Sequence, residues 1–96
     1  MEYSVINAFA SPVRLKLLCC LSKRRKNVAE LITECGLSQS AVSQHLTKLK
    51  DVGLVKDDKE GKYVYYSLMY PKAAKLAKKI QNFIKEVTSN VNKVSK

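Results

Sequence analysis

Apolar residues recur along this chain with two different periods, and the change of period divides it. From Pro12, the positions Val13, Leu15, Leu17, Leu18 and Leu21 are dense enough for a buried helix. Ser11 supplies its start, because a cap hydroxyl can accept from a free backbone amide and the proline after it suits the first helical position. The helix is predicted to end near Ser22. Asn27 can cap a shorter helix on which Val28, Leu31 and Ile32 share a face, and Gly36, just past Cys35, offers the left-handed stop. Ser38 caps the next helix, where Val42, Leu46 and Leu49 form the buried stripe and Gly53 ends it. Two helices joined through Gly36-Leu37-Ser38 make a helix-turn-helix.

Past Gly53 the period drops to that of a strand. Val64, Tyr66 and Leu68 alternate with Tyr63, Tyr65 and Ser67. A first strand from Leu54 to Asp57, a turn over Asp58-Lys59-Glu60-Gly61 and a return strand from Lys62 give a β-hairpin, with Gly61 free to take positive φ. Pro71 opens a last helix carrying Ala73, Leu76, Ile80, Phe83, Ile84 and Val87 at near-heptad spacing, a seam that needs another surface to cover it. The expected fold is mainly α with a β-hairpin wing, a winged helix-turn-helix in the order α-α-α-α-β-β-α. It forms a single domain over residues 1–96, with 90–96 as a frayed tail.

Composition adds a partner and a charge. A chain of 96 residues buries only about 60–70% of the surface its unfolded form exposes, so a second subunit would help complete its core. Eighteen Lys and Arg against eight Asp and Glu, a formal charge of +10, draw an anionic polymer to the surface. A membrane would also attract that charge, but no run approaches the ~18 apolar residues of a span. The start Met1-Glu2-Tyr3-Ser4 has no basic segment leading into an apolar one, so a cytoplasmic protein without a membrane partner is expected. The cluster Lys23-Arg24-Arg25-Lys26 reads as a solvated loop closing a helix. Cys19, Cys20 and Cys35, odd in number and without a secretory signal, are expected as reduced thiols. One histidine, no Gly-rich phosphate loop and no paired carboxylates leave little material for acid–base or nucleophilic chemistry, so neither an enzyme nor a cofactor is expected.

The helix beginning at Ser38 carries the candidate chemistry. Outside its buried stripe stand Gln39, Ser40, Ser43, Gln44, Thr47 and Lys48, short or amide-bearing and almost uncharged. Gln can pair with adenine in the major groove, Ser can donate to base edges or phosphates, and the helix N-terminus favours a phosphate near Ser38 and Gln39. On residue type alone, the same face could serve only to keep an exposed helix solvated. The surrounding Lys48, Lys50, Lys56, Lys59 and Lys62 match base readout flanked by phosphate contacts. His45 either reaches the nucleic acid or packs beside Leu46 and Leu49. Lys59 and Lys62, with Tyr63, lie along the backbone or enter the minor groove. A winged-helix module for protein binding, or for chromosome binding without sequence preference, is the competing function.

The string Leu37-Ser38-Gln39-Ser40-Ala41-Val42-Ser43-Gln44-His45-Leu46, with Leu49 and Gly53-Leu54-Val55 after it, resembles the DNA-binding region of the ArsR/SmtB family. Ala10-Ser11-Pro12-Val13-Arg14-Leu15 resembles that family's A-x-P-x-R-L helix start, and Gly61-Lys62-Tyr63-Val64-Tyr65-Tyr66-Ser67-Leu68 its wing. The resemblance implies a homodimeric repressor built on the first and last helices. Such a dimer binds an imperfect palindrome in double-stranded DNA and leaves when an inducer arrives. It also puts Gln39, Ser40, Ser43 and Gln44 on recognition-helix positions, with the two helices roughly 34 Å apart in a two-fold dimer.

The effector sites of the family do not carry over. Where many members have metal thiolates in a pattern like E-L-C-V-C-D-L, this chain has Glu30-Leu31-Ile32-Thr33-Glu34-Cys35, without those two thiols. A second family metal site uses Asp and His pairs on the last helix, and Pro71 to Ser89 holds neither, so no metal is expected. Cys19 matches a cysteine of the redox-sensing branch, but Asn82-Phe83-Ile84-Lys85 lacks its partner. Adjacent Cys19 and Cys20 point about 100° apart on a helix and are not expected to bond each other. Cys19, Cys20 and Cys35 stand as candidate redox-sensing thiols, with burial as small hydrophobes the alternative.

Overall fold

The helices start where side chains can accept from otherwise unpaired amides. In the computed structural model, which describes residues 2–94 and the side chains of 3–91, the elements are α1 (Glu2–Ala8), α2 (Pro12–Cys20), β1 (Lys26–Asn27), α3 (Val28–Cys35), α4 (Gln39–Asp51), β2 (Val55–Glu60), β3 (Tyr63–Leu68) and α5 (Pro71–Val94). Ser11 Oγ accepts from the Arg14 amide at 3.3 Å. At α3 the Asn27 side chain accepts from the Glu30 amide at 2.8 Å while the Glu30 carboxylate accepts from the Asn27 amide at 3.0 Å, a reciprocal capping box. Ser38 Oγ accepts from the Ala41 amide at 3.2 Å. Gly36 closes α3 with φ +67°, a left-handed conformation that side chains with a Cβ resist. The winged helix-turn-helix expected from the sequence is the observed fold.

Three differences from expectation concern the sheet and α5. The pairing runs from Val55↔Leu68 to Glu60↔Tyr63, so Asp58, Lys59 and Glu60 belong to β2 and the turn is only Gly61-Lys62. A two-residue turn with glycine first, here at φ +61°, follows the natural twist of two strands more closely than a longer one. Second, Lys26 and Asn27 are not loop: they pair with Tyr66 and Tyr65, making a three-stranded antiparallel sheet of order β1-β3-β2. Third, the apolar seam of α5 divides between two faces. Ala73, Ala74 and Ala77 are buried and Ile80 packs at the core's edge, whereas Leu76, Phe83, Ile84 and Val87 are exposed. Alanine suits the inner face because small side chains let α5 lie close against α2.

Leu17, Leu18, Leu31, Val42, Leu46 and Leu49 are fully buried where α2, α3 and α4 converge. This apolar centre fixes α4 by one side and leaves its other side outward. Beyond Gln81 every described side chain of α5 is exposed, and the helix continues to Val94 through most of the stretch expected as a frayed tail, whose residues 95 and 96 lie outside the described ones. On α1, Tyr3 and Ile6 are also exposed, while Ala8 is buried. No described helix is long and apolar enough to cross a membrane.

Candidate nucleic-acid interface

The helical period of α4 sends Val42, Leu46 and Leu49 inward, so residues on the remaining arc must face out. Gln39, Ser40, Ser43, Gln44, Thr47 and Lys48 are all exposed, as is the cap Ser38. No carboxylate interrupts this face before Asp51. Two of its hydroxyls are held locally, Thr47 Oγ1 donating to the Ser43 carbonyl at 3.0 Å and Ser38 Oγ lying 3.4 Å from Ser40 Oγ. The glutamine amides have no intramolecular partner among the described side chains, which leaves donor and acceptor together for an external edge.

The charges around this face are sorted by ion pairing. Lys50 Nζ sits 2.9 Å from Asp57 and is thereby directed to the hairpin. Arg25 donates through both terminal nitrogens to Glu60, at 3.0 and 2.8 Å, and its guanidinium lies 4.3 Å from the centre of the Tyr65 ring. The hydrogen bond from Arg25 holds the Glu60 carboxyl below its ordinary pKa. Glu60 is therefore compensated where it stands, and Lys59 and Lys62 remain exposed at the hairpin tip, Lys62 with its ammonium 5.7 Å from the Tyr63 ring. Two more members of the basic cluster are likewise engaged, Arg24 bridging Glu30 and Glu34 at 3.3 and 2.8 Å and Lys26 reaching Glu34 at 2.6 Å. Exposed pairs of this kind add little stability. Their consequence is that positive charge near α4 stays unpaired at Lys48 and at the wing.

His45 points differently from its neighbours. Its half-buried ring places Nδ1 3.1 Å from Arg14 Nη1. A guanidinium can only donate, so Nδ1 accepts and the neutral ring carries its proton on Nε2. Burial lowers the imidazole pKa, and the positive charges of Arg14 and Lys48 act in the same direction. Of the nine residues read as nucleic-acid contacts, His45 is the one turned partly into the protein. Arg14 was missed as a functional residue, and the only signal for it was its place in the Ser11-Pro12-Val13-Arg14 helix start.

The cysteines require a correction. Cys20 and Cys35, the last residues of α2 and α3, are joined as a disulfide with Cα atoms 6.7 Å apart, within the span such a bond allows. The expectation of three reduced thiols rested on cysteine number and compartment, neither of which reports which helix ends meet. Cys19 is the free cysteine among the described residues. Its Sγ lies 3.5 Å from Gln81 Oε1 and 4.0 Å from the Ala74 carbonyl, so Gln81 on α5 stands opposite it. Burial raises its pKa, against a smaller lowering by Lys78. An open groove of about 540 Å³ adjoins it, lined by Cys19, Ser22, Ala74, Lys75, Lys78 and Lys79.

Comparison with known proteins finds similar regulators. Residues 11–57 match the family described as bacterial regulatory protein, arsR family. The transcriptional activator HlyU of Vibrio cholerae is 44% identical over 64 residues, covering 67% of this chain and 59% of that protein. The matched stretches span between 51% and 59% of the first curated relatives' lengths. Among solved structures, the transcriptional repressor BigR from Xylella fastidiosa superposes with a TM-score of 0.74 at 30% identity, covering 85% of this chain and 84% of that one. The homodimeric winged helix-turn-helix DNA-binding domain Mb0332 from Mycobacterium bovis gives 0.73 at 28% identity, covering 93% and 82%.

Proposed function

The chain belongs to the ArsR family of bacterial regulatory proteins, and on that basis we propose that it is a sequence-specific, homodimeric repressor that binds an imperfect palindrome in double-stranded DNA in the cytoplasm. The observation that carries this reading is the outward face of α4, where Gln39, Ser40, Ser43 and Gln44 stand exposed and uncharged with Lys48 beside them. A face of this kind fits base edges, which need paired donors and acceptors, and the lysines of α4 and the wing fit the phosphates on either side. Ser38 and the α4 N-terminus add backbone donors for a phosphate.

Dimerisation follows from the apolar surface that one subunit leaves uncovered. Leu76, Phe83, Ile84 and Val87 on α5, with Tyr3 and Ile6 on α1, remain exposed, and a second copy of the same surface covers them by two-fold symmetry. That the similar Mb0332 domain is homodimeric supports pairing of two copies. Two α4 helices roughly 34 Å apart then enter successive turns of one duplex face.

Release from DNA is assigned to thiol chemistry at Cys19, Cys20 and Cys35. The Cys20–Cys35 pair links α2 to α3, the helix that precedes α4 in the helix-turn-helix. Forming that bond from two thiols transfers two protons and two electrons to hydrogen peroxide, which leaves as two waters.

Selection of duplexes from a random pool tests the function, followed by affinities for the selected and a scrambled duplex at one ionic strength. A gap of about 10³-fold or more supports specific readout. Equal affinities would favour a binder of DNA without sequence preference.

A further inference from the structure

Arg14 is 6% exposed, and among the described residues it is the one buried charged side chain. None of the described ion pairs includes it. A buried guanidinium is strongly disfavoured unless its donors are matched, and here neutral acceptors match them. Nε donates to the Ala8 carbonyl at 3.1 Å, Nη2 to the Asn7 carbonyl at 2.8 Å, and Nη1 to His45 Nδ1 at 3.1 Å. Asn7 and Ala8 are the last two residues of α1, where unpaired carbonyls concentrate partial negative charge.

One side chain therefore reaches three helices. It starts on α2, holds the open end of α1 and touches α4 at His45, on the flank turned toward the protein. Little else fixes α1, since its described side chains before Ala8 are all exposed. The same helix carries Tyr3 and Ile6, and the opposite end of the link lies next to Gln44 on α4.

We propose that Arg14 is a positioning residue that locks the subunit-contacting helix α1 to the recognition helix α4 through His45, and thereby sets the spacing between the two recognition helices of the dimer. This inference rests on the dimeric DNA-binding reading above. The forked shape of arginine is required, because its three nitrogens point in fixed directions toward three acceptors. A lysine ammonium at the same position cannot span them.

The test uses the full chain with Arg14→Lys, His45→Leu and His45→Gln. Affinity is measured for one half-site and for palindromes with the selected spacing and one base pair more or less. Wild type is expected to prefer one spacing. Arg14→Lys and His45→Leu are expected to keep half-site affinity within about twofold and to lose about tenfold or more at the preferred palindrome, because bivalent binding demands matching geometry. Their preference among spacings flattens. His45→Gln, which retains an acceptor, restores much of it.

Amide hydrogen exchange of α1, read without DNA, gives an independent measure. Faster exchange at α1 in Arg14→Lys and His45→Leu, with the core amides of α2 and α4 unchanged, supports the lock. Unchanged exchange at α1 or an intact spacing preference overturns it. Equal loss at half-site and palindrome in His45→Leu also overturns it, since His45 then acts on DNA directly. If wild type fails to distinguish duplexes at all, the DNA-binding reading falls and the role in spacing falls with it, while the exchange result still decides whether Arg14 holds α1.

Discussion

Replacing Phe83 by serine removes a ring that one subunit leaves 62% exposed. An aromatic side chain presents about 200 Å² when free, so roughly 120 Å² of this ring is available to a partner. At about 25 cal/mol per Å², full coverage in the dimer contributes ~3 kcal/mol per copy. Two-fold symmetry repeats the loss, which sets an upper value of ~6 kcal/mol, or about 10⁴-fold in the dimer dissociation constant. If the partner covers only half of the available area, the loss is still about 100-fold. Sedimentation equilibrium over a range of concentrations reads this shift directly. Because the ring contributes little within its own subunit, the monomer's fold should change by no more than about 0.5 kcal/mol. Ile80 is a poorer probe, since it also packs against the subunit's own core. An unchanged dissociation constant in Phe83→Ser would refute the assignment of this face to the subunit interface. So would a loss of stability that does not depend on protein concentration.

Four further outcomes are expected. Gln44→Ala should lower discrimination among duplexes by about 1–3 kcal/mol for a lost bidentate base contact, measured as the affinity ratio of selected and scrambled duplexes. Lys59→Ala should instead weaken every duplex alike and reduce the slope of log affinity against log salt by about 0.9; a change in sequence preference would reassign that lysine to base readout. Burial, Arg14 and Lys48 hold His45 below the ordinary imidazole range, although Asp51 lines the same groove. The unfolded chain therefore takes up the proton first, so the contribution from neutral His45 is fully present above pH ~6.5 and is lost as pH falls through the lower folded value. Urea titrations from pH 7.5 to 5 should show that loss in wild type and a shallower one in His45→Gln. Cys20→Ser should cost about 3 kcal/mol relative to the oxidised chain, as expected for a bridge closing a loop of 15 residues. Reductant should lower wild type to the same level and leave Cys20→Ser unmoved.

Much of the architecture is written locally. Ser11, Asn27 and Ser38 announce helix starts because a cap satisfies amides only a few residues away, and Gly36 and Gly61 mark positions where the chain needs positive φ. The exposed face of α4 is legible for the same reason: once Val42, Leu46 and Leu49 are assigned inward, helix geometry alone places Gln39, Ser43 and Gln44 outward. The family motifs lie within this locally encoded part, which is why the sequence alone carries them.

The remaining features join residues that no local period relates. Lys26 and Asn27 become strand only because the edge of β3 lies beside them, and Arg25 reaches over β3 to Glu60 on β2. Cys20 and Cys35 pair because two helix ends converge. Apolar spacing identified α5 as amphipathic, but a stripe carries no record of which of its residues meet α2 and which await another subunit. Arg14 is the sharpest case, since its partners Asn7, Ala8 and His45 come from helices on both sides of it in sequence. Hydrogen bonding along a helix depends on neighbours in the chain, whereas burial of a charge and closure of a disulfide depend on which surfaces packing brings together.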